Sequence, residues 1–234
     1  MKQAVLCLAL TLVAAGAVAQ PSPSFSFGPR VSSYSTDMDL DFATRLETGR
    51  QTAIGFVGDY RNGGLVLDWM YEHDSSDGAD LTDIVADIGD YERNGGEVTV
   101  GYAVAPFLDL QGGVRLDSIR VGGARLLGGS LFEDEDIDHT GFVAGIHLHT
   151  RDHMPVSWYG TARGILGSAK LDDAFGDRVS SDTSGWRAET GIMIRIGESN
   201  WYLVPGAEYE HLKTKDFDVS WKTNRVFLSV VFSR

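Results

Sequence analysis

The chain has 234 residues and a formal net charge of −13, and 33 acidic against 20 basic side chains make nucleic acid a poor partner, because phosphate binding needs a basic surface. A single cysteine, Cys7, excludes a disulfide framework within the chain. The 28 glycines and 6 prolines suit a protein of strands and turns. The N-terminus then reads as an export signal. Lys2, the apolar run from Ala4 to Gly16, and Ala17-Val18-Ala19 before Gln20 are its three parts. We expect residues 1–19 to be cleaved and residues 20–234 to form one domain. Cys7 lies inside the apolar run, away from the cleavage point, which argues against a lipid-anchored cysteine. As a spanning helix this segment is too short, and nothing after Gln20 approaches the ~18 consecutive apolar residues such a helix needs.

The rest of the chain alternates with a period of two, as strands do when their faces meet different surroundings. Phe25 to Ser35 is a first strand. Thr52-Ile54-Phe56-Gly58-Tyr60 and Leu65-Leu67-Trp69-Tyr71 follow, joined by Tyr60-Arg61-Asn62-Gly63-Gly64, in which Asn-Gly is expected to supply the positive φ angles of a tight hairpin. Val98-Val100-Tyr102-Val104, Leu108-Leu110-Gly112-Val114-Leu116 and Phe142-Ala144-Ile146-Leu148 come next. Then come Trp158-Gly160-Ala162-Gly164-Leu166, Trp186-Ala188-Thr190-Ile192-Ile194-Ile196 and Trp201-Leu203-Pro205-Ala207-Tyr209. Val226-Leu228-Val230-Phe232 closes the series. The quoted face is apolar and places aromatics near strand ends, where a barrel has its interfacial girdles; a soluble sandwich would not require this.

The connections alternate in length. Residues 36–50, 73–95, 121–138 and 171–184 are long; 61–64, 105–107, 150–155 and 197–200 are short; 213–219 is medium. This is the rhythm of outer loops and periplasmic turns. The expected fold is therefore all-β, a transmembrane antiparallel up-and-down β-barrel of ten strands, with eight and twelve as the neighbouring even counts. One stretch resists the pattern. Leu81, Ile84, Val85, Ile88 and Tyr91 form a helical stripe, while Gly89-Asp90-Tyr91-Glu92-Arg93-Asn94-Gly95-Gly96 echoes the first hairpin. We expect a short helix or a strand extension there.

With its signal ending Ala17-Val18-Ala19, its alternating hairpins and a terminal strand running to Phe232, the chain resembles the small bacterial outer-membrane β-barrel proteins, the OmpA/OmpX/OmpW-like, porin-related group. The resemblance covers nearly all of residues 20–234 and is architectural. It implies outer-membrane residence after export through the periplasm, contact with outer-membrane lipid and lipopolysaccharide, and insertion by the barrel assembly machinery, with Phe232 as the assembly signal. In that group the aromatic is usually the last residue, whereas here Ser233-Arg234 follow it. Members include structural proteins, adhesins, narrow pores and occasional enzymes, so fold alone does not choose a role.

The residues between the apolar positions point inward. Arg115, Arg163, Arg187, Arg195 and Arg225 are expected to face Asp109, Asp117, Glu189, Glu208 and Glu210 across a bore narrow enough to be filled by side chains. Buried charges must pair, so this set reads as a plug of ion pairs; the rival reading is a charge-selective pore for ions or small solutes. His147 and His149 share a strand face, as two metal ligands would, but spacing fixes no third ligand, and no metal or other cofactor is expected. A rim protease would need a same-facing Asp-x-His pair, and Glu210-His211 face opposite ways. A lipid A-modifying esterase would need a serine beside a histidine, and His139-Thr140 and Asp152-His153 fall in connections. Enzymatic activity is not expected. Carboxylates crowd residues 73–95, among them Asp74 and Glu92 with Arg93 alone opposing them, and also Glu133-Asp134-Glu135-Asp136. These acidic outer loops offer sites for divalent cations.

Overall fold

A computed structural model describes residues 23–40, 44–47, 50–76, 86–88, 91–121, 124–126, 129–130, 135–150, 155–172, 178–216 and 220–234. The expected signal segment, and the motif Asp152-His153, lie outside them. Ten long strands carry the fold: β1 Ser24–Leu40, β2 Gln51–Asn62, β3 Leu65–Ser76, β4 Tyr91–Ala105 and β5 Leu108–Val121. They continue as β6 Glu135–His149, β7 Val156–Asp172, β8 Arg178–Arg195, β9 Trp201–Thr214 and β10 Ser220–Ser233. Each pairs antiparallel with its neighbours in sequence, and β10 pairs back onto β1 from Ser26↔Ser233 to Asp39↔Ser220. The sheet is a closed ten-stranded barrel. Closure leaves these strands no open edge, which is the condition a bilayer sets on a spanning sheet.

The terminal residues complete that closure. The Phe25 and Arg234 amides each donate to the other's carbonyl at 2.9 Å, so Ser233-Arg234 extend the closing ladder beyond Phe232. Phe232 packs edge-on against Trp201 at 5.4 Å, while Phe25 lies 5.8 Å from Trp69 and Phe27 5.7 Å from Phe56. These pairs gather aromatics on the outer wall at the short-turn end; Trp186 and Tyr209, 5.0 Å apart, pair further up. The first hairpin takes its positive φ from Gly63 (58°) and Gly64 (91°), with Asn62 still in the ladder opposite Leu65. The turn therefore sits one residue later than Asn-Gly predicts, because the second glycine supplies what asparagine would have.

The two faces separate as the alternation requires. Phe142 and Leu166 are 73% and 67% exposed, against 3% and 1% for their chain neighbours Val143 and Ile165. The strands run further at the long-loop end than the apolar alternation does, and β3, β4, β6, β7 and β8 all enter segments the sequence reads as loops. Above the hydrocarbon the outward face has no reason to stay apolar, so the sheet outlasts its signature. The stretch 91–96 is part of β4, a strand extension and not a second hairpin. Ala86–Ile88 is a short strand paired with Ala124–Leu126, while Leu81, Ile84 and Val85 fall outside the described residues.

Candidate functional site

The inward positions of the ten strands build a ladder of charge along the bore. At the long-loop end, β5 places Arg115 and Asp117 on one face, 2.5 Å apart, and Arg115 also pairs with Glu210 on β9. Arg93 reaches Asp117 at 3.3 Å and Glu210 at 3.9 Å. His139 bonds Thr183 at 2.9 Å with its Nε2 and stands 3.6 Å from Asp117. The Tyr34 hydroxyl donates to Asp74 at 2.5 Å. Val143, Ile165 and Leu212, with Trp221 against them, fill the bore beside these groups.

The middle layer is centred on Glu208. Arg225, Arg187 and Arg30 approach it at 3.3, 3.9 and 4.0 Å. Arg225 and Arg30 share Glu72, which also accepts from Ser32 at 3.0 Å. Arg187 and Arg163 share a single oxygen of Glu97. Arg30 spans the layer because its guanidinium lies 3.6 Å over the Phe227 ring. That ring in turn occupies the space a Cβ at Gly206 would need, since such an atom would run into its tip. Apart from the partly exposed Arg163, these arginines and carboxylates are taken from water, and such charges persist only when paired.

Toward the short turns the pattern loosens. Arg61 pairs with Asp109 at 3.0 Å and donates to His149 at 3.2 Å and His147 at 3.4 Å. Tyr159 donates to Glu189 at 2.8 Å, and Glu189 meets Arg30 at 3.4 Å. Below the middle layer the bore opens into a cavity of about 210 Å³ lined by residues of this kind and by short side chains such as Ser26, Ser157, Thr161 and Ser229. In the long-loop half two voids lined by the described residues measure about 20 and 40 Å³.

The structure thus brings together Asp109, Arg115, Asp117, Arg163, Arg187, Glu189, Glu208, Glu210 and Arg225 within the bore. Arg195 does not join them. It stands exposed at the end of β8 and donates to the carbonyls of Ser199 (2.8 Å) and Glu198 (3.4 Å), clasping a short turn. The sequence reading places Arg30, Arg61, Arg93 and His139 in an unassigned strand face, a turn, a loop and a connection, whereas all four pair within the bore. Arg30 had a signal, since Phe25, Phe27 and Val31 alternate against Ser26, Arg30 and Ser32. Asp74 and Arg93 are correspondingly not outer-loop charges: Asp74 is 2% exposed and Arg93 pairs inside the barrel. His147 and His149 do converge, but on the Arg61 guanidinium and Asp109, and no group of three His, Cys, Asp or Glu among the described residues is arranged to hold a metal ion.

No family model matches the chain, and no curated protein matches it. Among solved structures, the fold is similar to the outer membrane protease OmpT from Escherichia coli at TM-score 0.52, with 8% identity over 90% of this chain and 95% of that one. It also aligns with Ail, the attachment invasion locus protein of Yersinia pestis, at TM-score 0.39, with 16% identity over 88% of this chain and 98% of that one. For Neisserial surface protein A the TM-score is 0.41, with 14% identity over 87% of this chain and 96% of that one. The chain has the fold of a small bacterial outer-membrane β-barrel. At such identities the likeness carries fold and no activity.

Proposed function

We propose that the protein resides in the outer membrane as a non-enzymatic barrel with a structural or surface-interaction role, its lumen held shut by paired charges. The observation that carries this reading is the middle layer, where Arg30, Arg187 and Arg225 meet Glu72, Glu97 and Glu208 across the full bore. Long guanidinium side chains clamped in this way leave little room for a conducting column of water. The partners that fit are outer-membrane lipid and lipopolysaccharide against the apolar outer wall, and the barrel assembly machinery during insertion, with Phe232 beside Trp201 as its signal. Divalent cations at the acidic outer loops, and cleavage of residues 1–19 on export, belong to the same reading. The likeness to a protease does not extend it, because Glu210 is buried in the bore and its neighbour His211 alternates to the other face of β9. Planar-bilayer recording of the refolded barrel tests the proposal. Little steady conductance is expected; a large, stable, charge-selective conductance would replace it with a pore.

A further inference from the structure

Much of the outer wall is built of large exposed side chains such as Ile54, Phe56, Phe142 and Leu166. A stretch across β8, β9, β10 and β1 is not. Cross-strand register sets Thr190, Ala207, Val226 and Ser33 in one outward row. Ala188, Tyr209, Asn224 and Ser35 form the next row toward the long loops. Gln51 pairs with Tyr34, so Arg50, the residue before β2, lies alongside Ser35. With mostly short side chains here, the wall recedes into an open groove of about 510 Å³, inside the roughly 300–1,000 Å³ of ligand pockets.

The two ends of the groove differ. Toward the short turns it is lined by Ala207 and Val226, and toward the long loops by Arg50, Ser35 and Asn224. Trp186 and Tyr209, their rings 5.0 Å apart, stand beside it as interfacial aromatics do. The row above holds His211, Lys222 and Asp37, and Lys213 lies one row further. Arg50 and Lys213 are exposed and enter no ion pair among the described residues. Arg50, Lys213 and Lys222 against Asp37 run counter to a chain of 33 acidic and 20 basic residues. An outward cation is costly at the hydrocarbon midplane and settles at headgroup level, where an anion meets it. We propose that this groove is a binding site for one anionic, phosphate-bearing lipid of the leaflet on the long-loop side. An acyl chain lies over Ala207 and Val226, and the phosphate meets Arg50, whose guanidinium offers it two parallel N–H donors. The apolar end selects a lipid over free phosphate, and the cations select an anionic headgroup over a zwitterionic one.

The inference rests on the membrane reading of the barrel and deepens it, since at this one place the wall chooses its lipid. Native mass spectrometry of the refolded barrel, released from micelles holding equal amounts of phosphatidylglycerol and phosphatidylcholine, tests it. One phosphatidylglycerol should be retained per barrel in preference to phosphatidylcholine. Arg50→Gln should lower that preference about fivefold, the worth of one cation near an anionic surface. Ala207→Phe, which fills the groove, should weaken retention of both lipids, and it decides the matter should Arg50→Gln not refold. Arg120→Gln removes an outward cation on β5 and should change nothing. Equal retention of the two lipids by the unmutated barrel would overturn the site, as would an unchanged preference in Arg50→Gln. Displacement of the lipid by inorganic phosphate, or a dimer that Ala207→Phe dissociates, would overturn it equally. Insertion into vesicles, read on the same preparation, separates the two proposals: a barrel that inserts without lipid preference sinks this site alone, and one that stays soluble without detergent sinks the membrane reading with it.

Discussion

The two halves of the bore are built from the same residue types and do different things with them. At the long-loop end, Arg115, Asp117 and Glu210 are packed among Val143, Ile165 and Leu212, and two voids lined by the described residues measure about 20 and 40 Å³. At the short-turn end, Arg61 and the two histidines stand beside serines and threonines, and a cavity of about 210 Å³ remains. Side-chain length makes the difference: where long arginines and branched apolar residues face inward the bore fills, and where Ser26, Ser157, Thr161 and Ser229 face inward it stays open. An inward charge therefore does not by itself make a plug or a passage. Its neighbours decide.

Replacing one arginine in each half should break the symmetry most strongly. Arg115→Ala strands two buried carboxylates in a packed environment and should cost about 3–5 kcal/mol. Arg61→Ala leaves Asp109, itself fully buried, with the His149 and His147 rings still 3.5 and 3.6 Å away, and the loss should be smaller. Urea unfolding, read by the gel shift between folded and heat-unfolded barrel, gives both numbers. Equal losses would show that the two imidazoles do not stand in for Arg61.

Packing offers the next contrast. Gly206→Ala would drive a methyl into the Phe227 ring that supports Arg30, and Ile165→Phe would overfill the tight half; each should cost about 1–3 kcal/mol. Thr161→Phe, placed in the open half, should leave the unfolding midpoint nearly unchanged. The smallest effect belongs to Arg120→Ala. Its pair with Asp136 is 2.8 Å long but 62% and 48% exposed, so less than about 1 kcal/mol should be lost, and added salt should erase even that.

The barrel was legible because lipid imposes its rule on every spanning residue. Ile54, Phe56, Phe142 and Leu166 face outward as their alternation demands, and the ten strands follow from it. The rule stops where the hydrocarbon stops: alternation alone puts Arg93 and Asp74 in a loop although β3 and β4 continue through them, and Arg61 in a turn although it ends in the bore. Arg195 failed in the opposite sense, since its parity points inward but its height puts it at the rim. Pairing partners were not legible at all. That Arg163 and Arg187 share one oxygen of Glu97 depends on the curvature of the closed sheet, which no local spacing encodes.

The central claim is that one layer of paired charges divides the bore into compartments that do not communicate. Thr161→Cys, in the chain beginning at Gln20 and so free of Cys7, places a single thiol in the open compartment. The barrel is reconstituted with its long loops outward, and a membrane-impermeant thiol reagent is added to one side at a time. Labelling should be rapid from the short-turn side and absent from the long-loop side. Comparable labelling rates from the two sides would contradict the account.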